Sequence, residues 1–132
     1  MAKRIKLMAE YRAFPLWWND EGKVKRNIQP HELTLSLETV SLLQKWQQRY
    51  ESQMNWANPG ESNFFAPTEV DIFEDEGVKL WLLLRQQLSP MYEVVYFSEK
   101  LQKTMTTPPE LIRYSSKFRY DEKADVIIPL AA

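Results

Sequence analysis

Five carboxylates, Glu69, Asp71, Glu74, Asp75 and Glu76, fall within eight consecutive positions, the densest group of ionisable side chains in the chain. Three chemistries use such a group: a hard-cation site, a catalytic carboxylate pair, or a docking surface for a basic partner. A calcium loop needs a central glycine and a terminal glutamate at fixed spacing, and this stretch has neither. A catalytic pair needs environments that push two pKa values apart. The five acids instead share the first turns of an expected helix, where solvent would leave all of them ionised. That leaves a solvated acidic face or a surface that docks a protein of opposite charge.

Other chemistries are limited by what is missing. His31 is the one histidine, so no two-histidine metal site can be built, and it reads as a loop residue. The chain has no cysteine, which removes disulfides, thiolate zinc sites and cysteine nucleophiles together and fits a cytoplasmic protein. Three glycines, at 22, 60 and 77, form no phosphate-binding loop. The sequence therefore predicts a protein that is not an enzyme and takes no cofactor or metal. No run approaches the roughly 20 apolar residues of a membrane helix.

Charge is unevenly laid out behind the net −1. Residues 1–30 carry seven basic and three acidic side chains, a local +4; residues 61–77 carry six acids and no base, a local −6. The basic half is rich in rings: Lys3, Arg4, Lys6, Tyr11, Arg12, Phe14, Trp17 and Trp18. The tail repeats the theme in Tyr114–Tyr120 (YSSKFRY). Such composition is that of stacking surfaces for single-stranded nucleic acid, so a nucleic-acid-associated accessory protein is the alternative reading. The near-neutral net charge and the absence of a recognition motif rank it second.

The acids must be positioned by a helix, and the pattern supplies one. Val70, Phe73, Gly77, Leu80, Trp81, Leu84 and Leu88 recur at steps of three and four, one face of an α-helix. Thr68 is the expected cap, and Ser89-Pro90 the stop. Tyr92–Phe97 follows as a covered strand rich in β-branched and aromatic residues. Earlier, Lys3–Tyr11 alternates as a first strand. Phe14–Trp18 reads as an edge strand or an irregular segment, and Lys23–Ile28 as a short returning strand. Ser36 caps the first amphipathic helix in chain order, with Val40, Leu43, Trp46, Tyr50 and Met54 on its apolar face. The 55–66 connection is longer than most helix–helix loops and carries Trp56 and Phe64 as candidate interface anchors.

These elements predict an α+β fold, a small mixed or antiparallel sheet with two amphipathic helices packed on one face. Residues 1–98 form a single α+β domain in this reading. Residues 99–132 are a C-terminal extension, with 99–109 as a linker or a partly ordered extension. Leu111–Tyr114 and Asp125–Leu130 are strand-like runs, a terminal hairpin added to the sheet or a tail swapped onto a neighbour.

Three stretches, IKLMAEYRAFPLWW (5–18), EGVKLWLLLRQQL (76–88) and YEVVYFSE (92–99), together with NWANPGES (55–62), resemble a group of small bacterial proteins of the immunity type. The resemblance covers about residues 4–98. It implies a toxin-neutralising protein that binds a partner and has no catalytic residues to transfer. The expected contact surface is Glu69, Asp71, Glu74, Asp75 and Glu76 with Trp56 and Phe64, facing a basic toxin domain.

Overall fold

The computed structural model describes residues 3–20, 26–52, 67–114, 118–121, 123–124 and 126–129. Strand β1 (Lys3–Leu7) is paired on one side with β2 (Leu16–Trp18), which turns back antiparallel and pairs with β3 (Arg26–Asn27). A 3-10 turn at Pro30–Glu32 leads to helix α1 (Leu37–Glu51). Helix α2 (Pro67–Leu88) and strand β4 (Tyr92–Ser98) follow, then β5 (Lys103–Met105), helix α3 (Pro108–Tyr114), β6 (Phe118–Asp121) and β7 (Val126–Pro129).

The sheet is mixed, in the order β3-β2-β1-β4-β5. Its centre is the parallel pairing of β1 with β4, in register Ile5↔Val94 and Leu7↔Tyr96. The two strands are joined by both helices, as a parallel pair requires a long crossover. The α+β expectation of two amphipathic helices on one face holds. Trp46 of α1 and Trp81 of α2 both meet Tyr96 of β4, with ring centroids 6.5 and 5.5 Å apart.

The core explains why the helices sit there. Trp46 and Trp81 are almost wholly buried, each worth roughly 4–6 kcal/mol of gross transfer free energy for a ring of this size. Each indole N–H is satisfied: Trp46 Nε1 donates to the Phe73 carbonyl at 3.0 Å and Trp81 Nε1 to the Val94 carbonyl at 2.9 Å. Gly77 lets α2 approach closely. A Cβ there would lie 2.6 Å from Tyr96 Oη and 2.9 Å from Trp46 Cζ2, so no larger residue fits without displacement.

Several local expectations shift. The second helix begins at Pro67 rather than after Thr68, with proline at its first position. Within 99–109, Lys103–Met105 is a strand paired with β4, and Met105 is fully buried. Leu111–Tyr114 is not strand but the end of α3: Pro108 opens a helix, and Thr106 donates to Glu110 across its start. The later run pairs with β6 as a separate two-stranded sheet, Tyr120 opposite Ile127. Met54, the last apolar position expected on the first helix, lies outside the described residues. Among the described residues no helix is long and apolar enough to cross a membrane.

Candidate protein-binding surface

Helix α2 turns by about 100° per residue, so five acids within eight positions cannot all face one way. They divide into two outer flanks and one inward position. On the flank toward α1, Glu69 and Glu76 are seven residues apart and nearly eclipsed. Arg49 reaches both, with Nη1 3.8 Å from Glu69 Oε2 and Nε 2.5 Å from Glu76 Oε1. On the other flank Asp71 meets Lys100 Nζ at 2.6 Å, and Asp75 stands exposed one turn later. Exposed Ile72 lies between the flanks.

Glu74 does not belong to this surface. It is 5% exposed, against the expectation that it lines the acidic face. It accepts hydrogen bonds from the Tyr96 hydroxyl at Oε1 and from Ser98 Oγ, 2.5 Å away, at Oε2. Ser98 Oγ in turn accepts from the Leu101 amide at 3.0 Å. Burial pushes the Glu74 carboxyl above the usual 4.5 despite the two hydroxyl bonds that favour its charged form. The Tyr96 hydroxyl is raised well above 10 by burial and by the Glu74 charge. The expectation of a solvated carboxylate therefore fails at this one.

The sequence carried a signal for this position. Glu74 is four residues after Val70, three before Gly77 and seven before Trp81, inside the apolar stripe, while Tyr96 and Ser98 share one face of β4. A buried acid, tyrosine and serine invite a catalytic reading. Tyr96 and Ser98 are 0% exposed, so no substrate reaches them, and the trio acts as a clamp joining α2 to β4.

A second raised carboxyl stands nearby. Glu99 is lifted chiefly by burial, against a hydrogen bond from Gln102 that favours its charged form, and further by the charges of Glu10 and Glu74. Burial first, then Glu99 and Glu10, raises the Tyr50 hydroxyl as well; its ring lies 4.9 Å from that of Tyr11. Among the described residues no group of three or more histidines and acids has the geometry to hold a metal ion.

The remaining candidates separate. Trp56 and Phe64 lie outside the described residues. His31 is exposed in the 3-10 turn. Beside it Glu32 accepts from the Gln29 amide at 2.7 Å and pairs with Arg26 at 2.9 Å, and the backbone bond chiefly holds its carboxyl below 4.5. The basic-aromatic strand is largely occupied by its own partners. Arg4 pairs with Glu93 at 3.1 Å, Lys3 and Arg26 lie within 6 Å of the Trp18 ring, and Lys6 is buried beside Phe97. Trp17 Nε1 donates to the Met8 carbonyl. Lys117 lies outside the described residues.

The described part thus pairs an inward polar clamp with acidic flanks turned to solvent in a small α+β fold. Residues 3–99 match the model of the Serratia CdiI immunity protein-like family, and the chain belongs to that family. No curated protein matches it.

Proposed function

We propose that this protein is a non-enzymatic immunity protein that neutralises a toxin by occluding it, working in the cytoplasm on a toxin domain of basic surface. Family membership supports the immunity role. The observation that carries the choice of surface is the outward acidic pair of flanks on α2: Glu69, Asp71, Asp75 and Glu76. Their in-chain partners do not remove them from solvent; Glu69 and Glu76 stay 43% and 41% exposed. A basic partner therefore meets a negative field that speeds encounter, and it competes with Arg49 and Lys100 for the same oxygens. Trp56 and Phe64 of the 55–66 connection would supply the apolar anchors. Residues 1–98 are taken as the binding domain and 99–132 as its extension.

Tagged protein used as bait in lysate of its source tests this, with a Glu69→Lys, Asp75→Lys, Glu76→Lys variant alongside. One stoichiometric basic protein, lost from the variant, supports the reading. Recovery of nucleic acid in place of protein would overturn it.

A further inference from the structure

Between α1 and α2 a groove of about 340 Å³ opens to solvent. Its floor is Trp46 and Leu80, both buried, and its walls are Leu42, 40% exposed, and Leu83, half-buried. Leu42 and Trp46 lie one turn apart on α1, as do Leu80 and Leu83 on α2, so the core-facing stripes continue outward at this edge. Each end is closed by a cross-link between the helices. One turn beyond Leu42 and Leu83, Gln87 Nε2 donates to Thr39 Oγ1 at 2.8 Å. At the other end Glu76 Oε1 meets Arg49 Nε at 2.5 Å. From Thr39 to Arg49 the helix rises about 15 Å, which bounds the length of the groove. Lys45 and Lys79 stand exposed on its opposite banks. Among the described residues neither has an ion-pair partner, whereas Glu76, the one acid in the lining, is met by Arg49.

We infer that this groove binds the anion of a medium-chain fatty acid, its tail along the leucines and its carboxylate between Lys45 and Lys79. Charge complementarity carries the choice of head. Two ammonium groups on flexible stems close over an anion, and their stems can lie on the apolar walls while the charges stay in water. A bare phosphate or sulfate would leave the leucines unused, and an uncharged chain would leave the ammonium groups idle. Size and closure carry the choice of tail. The volume is at the small end of the roughly 300–1,000 Å³ typical of ligand sites. The cross-links at both ends admit a compact ligand lying along the groove rather than a helix or strand passing through it. A basic protein drawn to the acidic flanks would be repelled by Lys45 and Lys79, so the groove and the flanks select opposite charges.

The full-length protein is titrated with sodium octanoate, and in parallel with octylammonium chloride, while leucine methyl and tryptophan indole signals are followed by NMR. Saturable shifts of Leu42, Leu80, Leu83 and Trp46 are expected with octanoate at a Kd of about 0.1–1 mM, the range that half-burying a short chain allows. Octylammonium has the same chain and the opposite charge, and should bind about tenfold more weakly. Lys45→Gln/Lys79→Gln alters two exposed side chains and leaves the packing in place. It should weaken octanoate about fivefold and remove the preference between the two probes. Equal binding of the probes, no saturable shift with octanoate, or a preference that survives in the variant would overturn the site. Shifts of the same methyls on dilution of the protein alone would assign the groove to a second copy of the chain and overturn it too. Any of these failures leaves the acidic flanks untouched, because the pull-down variant alters neither lysine.

Discussion

Glu74 and Asp75 are adjacent, carry the same charge and have opposite fates. Glu74 is swallowed between α2 and β4, holding two hydroxyls at the cost of a raised pKa. Asp75 stands in solvent on the flank that also bears Asp71. One step of about 100° on a helix separates a buried structural clamp from a solvent-facing carboxylate. A run of acids is therefore not one surface, and only its outward members are placed where a partner could meet them.

Substitution at the two positions should break the pair apart. Glu74→Lys leaves an unpaired ammonium against Tyr96 and Ser98 and should cost about 4 kcal/mol or more, enough to unfold much of the population. Asp75→Lys should change stability by no more than about 0.5 kcal/mol. Urea unfolding of both variants measures the contrast, and equal losses would erase it.

Gly77→Ala sharpens the inward side. Alanine is the better helix former, by about 1 kcal/mol. Here its methyl meets Tyr96 Oη and Trp46, so a net loss of about 1–3 kcal/mol is expected from the same melts.

The clamp also has a pH signature. Burial holds the folded Glu74 pKa above its ordinary 4.5, so the unfolded chain releases this proton first. Its contribution is fully present below pH 4.5 and is lost as pH rises through the higher folded value. Glu99 shifts in the same direction and adds to the slope. Glu74→Gln keeps an acceptor for Tyr96 without the charge. Its stability curve should therefore fall less as pH rises above 4.5 than that of the wild type; parallel curves would remove the raised carboxyl from the account.

The smallest effect belongs to the outer flank. Arg49→Ala deletes two half-exposed ion pairs and should cost only about 0–1 kcal/mol. It strips a counter-charge from Glu69 and Glu76, so association with a basic partner should become faster.

Much of the frame was legible in the sequence. The apolar stripe from Val70 to Leu88 and the Ser89-Pro90 stop mark α2 because periodicity and proline act locally. The β1–β4 pairing was not, since its partners are 89 residues apart and parallel register leaves no turn signal. Leu111–Tyr114 misled because a short apolar run fits either element; Pro108 at a helix start was the overlooked cue. The acidic flanks were seen as composition. The inward turn of Glu74 is marked only by its place in the apolar stripe, a cue that its charge masks.

The most direct test is stopped-flow association with the toxin partner recovered by pull-down, at several ionic strengths, for wild type and the Glu69→Lys, Asp71→Lys, Asp75→Lys, Glu76→Lys variant. The outward flanks predict association at least about tenfold slower at low salt, with the wild type's slowing by added salt abolished or reversed. Unchanged rates and an unchanged salt dependence would contradict the claim that these four acids face the partner.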